Sequence, residues 1–211
     1  MSSIAHIIKT YLPTENACVM YIGANTGQEL EDFFSHVKSG NIYCFEPLKR
    51  TISFLEITIM NLKLAYPEAD INVEIIQKAV CDKDGDIIIH HDPQDPTHQS
   101  ATIMPLPEGE KSWTQHHIEE ILTPAIKLDT FIQDRQIEKI DLIYADVEGA
   151  QAPLLDGATN ALQISEHLYI ETQSLWGGLS YTDIVNRLDG QFGVELKLGV
   201  DTFFKKQTLK G

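Results

Sequence analysis

Three stretches of the 211-residue chain carry residue types at spacings that could do chemistry. The first is Gly23-Ala24-Asn25-Thr26-Gly27, a glycine-rich turn directly after the apolar run Ala17–Ile22. Between a strand and a helix, such glycines let the backbone approach a ligand, and the helix start offers free N–H groups. The second is Glu46, which closes the next apolar run. An acid there can accept both hydroxyls of a ribose; its plain alternative is a solvated strand-end carboxylate. The third is Asp146 with Glu148, joined by Glu171 from a later run. Carboxylates grouped this way can take a proton from a hydroxyl, position an acceptor, or hold a divalent ion such as Mg²⁺. Asp146 could instead cap the turn that follows it.

These residues need elements to position them. Ala17–Ile22 reads as a buried strand, and residues 28–37 as a helix. Residues 41–45 form a second strand. A long helix over 48–66 carries Ile52, Leu55, Ile59 and Leu62 on one face and is stopped by Pro67. Residues 71–80 supply a third strand, 82–85 a turn and 86–91 a strand. After Ile126-Lys127-Leu128, Asp129 is placed to cap a helix over 130–136. A strand over 141–147, a helix over 151–162, a strand over 167–171 and a helix over 180–188 follow. Residues 194–198 and 202–206 then read as an antiparallel hairpin around Gly199. At the front, Ile4, Ile7, Ile8 and Tyr11 mark an amphipathic helix within residues 1–13, lying against the sheet or over a ligand mouth. The alternation predicts an α/β fold, a doubly wound and mostly parallel sheet in one domain over 1–211. Residues 92–117, with four prolines and no periodicity, form an irregular insertion suited to an acceptor lid.

Open α/β sheets bind ligands beyond the C-terminal ends of their strands. Lys78 and Ala79 join the list of strand-end residues on that ground. The turn departs from Gly-x-Gly-x-x-Gly and lacks the spacing that seats a pyrophosphate. A nucleoside with an uncharged or zwitterionic tail fits better. S-adenosylmethionine has that character, with ribose for Glu46, adenine near Ala79 and the amino-acid tail near Gly23. An NAD(P)-dependent oxidoreductase, or a catalytically silent ligand-binding domain, is the alternative.

Tyr21-Ile22-Gly23-Ala24-Asn25-Thr26-Gly27, Phe45-Glu46-Pro47, Ala79 with Asp82–Gly85, Leu128-Asp129 and Asp146-Val147-Glu148-Gly149-Ala150 occur in one order. In order and spacing this set resembles the FkbM-type methyltransferases. The resemblance implies a Rossmann-like class I fold using S-adenosylmethionine, with an O-methyl product on a sugar, polyketide or similar small molecule. With the strand ends, it points to Tyr21, Gly23, Ala24, Asn25, Gly27, Glu46, Pro47, Lys78, Ala79 and Asp146 as the cofactor-binding set. Asp146, Glu148 and Glu171 are then the candidates to activate the acceptor. Two positions depart from the family pattern. Tyr21 stands where an acid usually helps hold the methionine end, which moves that contact to Glu148 or a backbone group. Gln151 stands where glutamate is common.

The formal net charge of −15 opposes binding to phosphate backbones or anionic lipids, so a small-molecule hydroxyl acceptor is the expected partner, not nucleic acid or membrane. Lys49-Arg50 and Lys205-Lys206 are too short to reverse that. Cys18, Cys44 and Cys81 lack metal-ligand spacing and read as buried free thiols. With no leader-like or spanning segment, they predict a cytoplasmic protein. His90, His91, His98, His116 and His117 could each serve as a base, although polar loops usually carry solvated histidines. Ser100, Trp113 and Trp176 are candidates for an acceptor pocket, Trp176 alternatively packing on the sheet edge.

Overall fold

The computed structural model describes residues 3–95, 97, 101–104, 118–172 and 178–207. Ser100, His98, Trp113, His116, His117 and Trp176, and most of the expected insertion, lie outside the described residues. Among the described residues a seven-stranded sheet is ordered β3-β2-β1-β7-β8-β10-β9. Its strands are β1 (Ala17–Ile22), β2 (Ser39–Phe45), β3 (Asp70–Ile76), β7 (Leu142–Ala145), β8 (His167–Glu171), β9 (Phe192–Leu198) and β10 (Asp201–Lys206). The first five are mutually parallel; β10 runs antiparallel to β8 and to β9, as the expected hairpin requires.

Side-chain alternation along β1 explains why both faces of the sheet are covered. Met20 and Ile22 point into one core, with Phe45, Ile143 and Leu154. Val19 and Tyr21 point into the other, with residues of α1 (Ser3–Tyr11), α2 (Leu30–His36) and α3 (Lys49–Ala65). On that face α1 buries Ile4, Ile7 and Ile8, while Tyr11 packs on His167 and Phe203. His167 begins β8, so this end of the helix lies at the opposite end of the strands from the ligand mouth.

Three local expectations need correction. The stretch 71–80 is not one strand. Lys78 N–H turns back to the Ile76 carbonyl (2.8 Å), and Ala79–Val80 (β4) leaves the main sheet to pair with β6 (Glu119–Ile126). With β5 (Gly85–His91) these strands form a second, three-stranded sheet. The helix over 151–162 is two helices, α5 (Gln151–Asp156) and α6 (Thr159–Gln163). They part at Gly157, where a Cβ would lie 1.9 Å from the Cys81 carbonyl oxygen. Asp129 does not cap α4 (Leu128–Asp134), whose N-cap is Lys127. Its carboxylate instead accepts the N–H groups of Asn160 (2.9 Å) and Ala161 (2.9 Å), closing the start of α6 across space. Ser180 does cap α7 (Tyr181–Arg187), in a reciprocal box with Asp183. No helix among the described residues is long and apolar enough to cross a membrane.

Candidate active site

Strand order reverses between β1 and β7: the chain proceeds from β1 to β2 on one side and returns to β7 on the other. The crevice at such a switch point is where α/β sheets take ligands. Here it opens into a cavity of about 260 Å³. Gly23 forms its floor with φ +76°, and a Cβ there would lie 1.8 Å from the Asp146 carbonyl oxygen. Only glycine satisfies both conditions. The amides of Gly23 and Ala24 both donate to the Phe45 carbonyl (3.0 Å each), which ties the turn to the end of β2.

Gly23 and Asn25 line the cavity. Ala24 is fully buried, and Gly27 is packed against Leu30 and Leu55; both shape the turn from behind and neither is part of the lining. Glu46 is 5% exposed. One carboxylate oxygen accepts the Leu48 amide (2.9 Å), the other the Asn25 amide (3.0 Å). Each oxygen keeps a further lone pair. Burial pushes this carboxyl up to about 7, with the two amides pulling it back. Pro47, Lys78 and Ala79 continue the wall, and Val80 with Ile89 from the second sheet makes it apolar. The turn at Lys78 that separates β3 from β4 is therefore also what places Ala79 on the cavity.

At the other end of the cavity the carboxylates gather. Asp146 and Glu148 line it; Glu171 stands outside the lining, its carboxylate accepting the buried Gln151 amide (3.3 Å). Asp146 is open to the cavity yet crowded by protein on its other sides, and burial, then Glu29 and Asp201, raise it to about 6. Glu148 rises to about 7 through burial, Asp146 and Glu171. Glu171 rises to about 7 through burial, Asp146 and Asp201. Glu148 (φ +43°) and Gly149 (φ +88°) are both left-handed, which swings the chain sharply out of β7. The Thr102 hydroxyl donates to the Glu148 carbonyl (2.6 Å).

Two of these acids, Glu29 and Asp201, were missed in the sequence. Tyr21 donates its hydroxyl to Glu29, and both line the cavity beside Gly23. A carboxylate is therefore present near the start of the turn, delivered by Glu29 from the chain beyond it, in addition to the Glu148 or backbone group expected from the sequence. Tyr169 similarly donates to Asp201 (2.9 Å). Tyr21, Tyr144 and Tyr169 are cross-strand neighbours in β1, β7 and β8. The rings of Tyr144 and Tyr169 stack with centroids 4.7 Å apart, and Tyr21 meets Tyr144 edge-on at 5.0 Å. A readable signal existed: Tyr-Ile-Gly, Tyr-Ala-Asp and Tyr-Ile-Glu end three strands with tyrosine two residues before a site position. Among the described residues no three His, Cys, Asp or Glu side chains come together to hold a metal ion.

The family model of the methyltransferase FkbM domain matches residues 22–191. The chain belongs to the FkbM methyltransferase family. A relative of this family member is the 2-O-methyltransferase NoeI of Sinorhizobium fredii (strain NBRC 101917 / NGR234), 22% identical over 182 residues, covering 81% of this chain and 70% of NoeI. Among solved structures, the methyltransferase FkbM from Methylobacillus flagellatus KT superposes with a TM-score of 0.58 at 14% identity. That match covers 92% of this chain, which spans 44% of the Methylobacillus chain. Magnesium protoporphyrin IX methyltransferase from Synechocystis PCC 6803, solved with bound S-adenosylmethionine, superposes with a TM-score of 0.52 at 9% identity over 96% of this chain and 74% of its own. These likenesses establish a Rossmann-like methyltransferase fold.

Of the histidines considered as bases, two are described. His90 on β5 is largely covered, with Nδ1 3.7 Å from Glu120; His91 is buried. Neither lines the cavity. Cys44 and Cys81 are buried free thiols, and Cys18 is half-buried; burial pushes Cys18 up to about 11, away from reactivity.

Proposed function

We propose that this methyltransferase uses S-adenosylmethionine to methylate a hydroxyl group of a small molecule such as a sugar or natural product. The observation that carries the reading is Glu46, a buried carboxylate held on two backbone amides at the rim of the switch-point cavity, with lone pairs left for a ribose diol. The residues fit the cofactor along its length. Ala79, Val80 and Ile89 offer an apolar wall for adenine. Gly23 leaves room for the tail, and Glu29, oriented by Tyr21, offers a carboxylate to its ammonium group.

When bound, S-adenosylmethionine supplies an activated methyl group on a sulfonium. The chain's part is to hold the acceptor oxygen in line and to take its proton. Positioning of this kind accounts for much of the acceleration in such displacements. A general base works best with a pKa near the working pH, and Asp146 at about 6 and Glu148 at about 7 meet that condition on the cavity wall. We assign Asp146 as base or acceptor-positioning group, with Glu148 and Glu171 behind it. The NoeI likeness supports an oxygen acceptor.

Calorimetry with S-adenosylhomocysteine and with NAD tests the cofactor. Binding of the former alone is expected; binding of NAD alone would replace this reading with a dinucleotide enzyme. Incubation with methyl-labelled S-adenosylmethionine and a panel of sugars tests the acceptor, with label expected on an oxygen.

A further inference from the structure

Helix α3 carries apolar side chains on both of its faces. Ile52, Leu55, Ile59 and Leu62 turn into the protein, whereas Phe54, Ile57, Met60 and Leu64 are between 42% and 75% exposed. At 3.6 residues per turn those four fall in one strip on the side away from the buried face. Single exposed apolar residues are ordinary, but four in line on one helix mark an interaction surface. The polar positions within the strip are the uncharged Ser53 and Asn61, with Arg50 at its start. The charges of α3 are placed just as unevenly. Lys49 and Arg50 stand in the first turn with no acid beside them, against the positive end of the helix dipole. Glu56 and Lys63, two turns apart and both exposed, share one edge of the strip. With three cations and one acid in a chain of net charge −15, this helix is a place where two copies can approach without acidic repulsion.

We infer that this strip is where two copies of the chain pair, α3 against α3, antiparallel about a two-fold axis. Such a contact requires the strip to complement itself, and in one register it does. Turning a second helix end for end about the middle of the strip sets Ile57 against the partner's Met60 and Phe54 beside the partner's Leu64. The same turn brings Glu56 to the partner's Lys63, because in an antiparallel pair each edge meets the same edge of the other helix. Symmetry forms that ion pair twice. Lys49 and Arg50 then reach the negative C-terminal end of the partner's helix, near the partner's Glu68. The two cations that oppose their own helix dipole are matched by the other copy. A partner of different sequence would have to supply this pattern anew; a second copy already has it. The strip covers less than the roughly 800 Å² per partner of a standard interface, so the dimer dissociates at ~1–100 μM.

Sedimentation velocity on the full chain across that concentration range, at physiological salt, should show monomer passing to dimer and no larger species. Ile57→Glu sets carboxylates in the middle of the strip and should leave monomer only, with an unchanged circular dichroism spectrum. The ion pairs test the register. Glu56→Lys or Lys63→Glu alone brings like charges together and should weaken association about tenfold. The double exchange Glu56→Lys with Lys63→Glu should restore the wild-type affinity. If Ile57→Glu does not fold, these exposed positions still decide. A chain that stays monomeric overturns the inference, whether it binds nothing or co-sediments with phosphatidylglycerol vesicles. A dimer indifferent to Ile57→Glu overturns it too, by placing the contact elsewhere. A double exchange that fails to restore affinity rules out the antiparallel pairing.

Discussion

Glu46 and Asp146 divide the work at the level of single side chains, and they should fail differently. Glu46→Ala removes the ribose acceptor and strands the Asn25 and Leu48 amides, so affinity for S-adenosylhomocysteine should drop by about ten- to hundredfold in calorimetry. Asp146→Asn should lower turnover while leaving that affinity within about threefold, a split that steady-state kinetics beside calorimetry would reveal. Unchanged turnover would take Asp146 out of the mechanism. The raised carboxyls also set opposite pH trends for stability and activity. Asp146, Glu148 and Glu171 have folded pKa values of about 6 to about 7, above their unfolded ones. The folded state therefore holds more protons between about pH 4 and about pH 7, and stability falls as pH rises through that window. Activity should do the reverse, rising as the base ionises. Thermal melts and kcat/KM profiles over the same pH range check both.

At the level of elements, what could be read from the chain depended on whether the cause was local. β1 and β8 match their expected bounds because each is short and has an unbroken apolar stretch, all of β1 and Leu168–Ile170 of β8. The break between β3 and β4 falls at the polar pair Gln77-Lys78, which does not by itself announce a turn; it arises from an exchange of pairing partner, from β2 to β6. β6 itself was hidden by Glu119-Glu120 and Pro124, which read as loop. Asp129 looks like a local cap and acts across space on α6. Asp129→Ala should therefore loosen α6 and cost about 1 kcal/mol by denaturant titration, with α4 keeping its protection in hydrogen exchange. The site shows the same division. Glu46 and Asp146 sit at strand ends and were legible; Glu29 and Asp201 reach the site through tyrosines on neighbouring strands, a relation that exists only once the sheet has assembled.

For the molecule as a whole, the proposed cofactor should act as a stabilising ligand. At a hundredfold excess over its dissociation constant, S-adenosylhomocysteine should add about 2.7 kcal/mol, a rise in melting temperature of roughly 5–10 °C for a chain of this size. The absence of any shift in well-folded protein would favour the silent-domain reading. The tyrosine ladder across the sheet has an optical consequence as well. Stacked phenol rings couple their electronic transitions, so Tyr144 and Tyr169 should give a paired near-ultraviolet circular dichroism band, with Tyr21 as its edge-on neighbour. Because the Tyr21 hydroxyl ends on Glu29 at the cavity wall, filling the cavity should alter that band, and Tyr21→Phe should abolish the response. The protein carries a chromophore wired to its own site, and a titration could be followed by light alone, without label or acceptor.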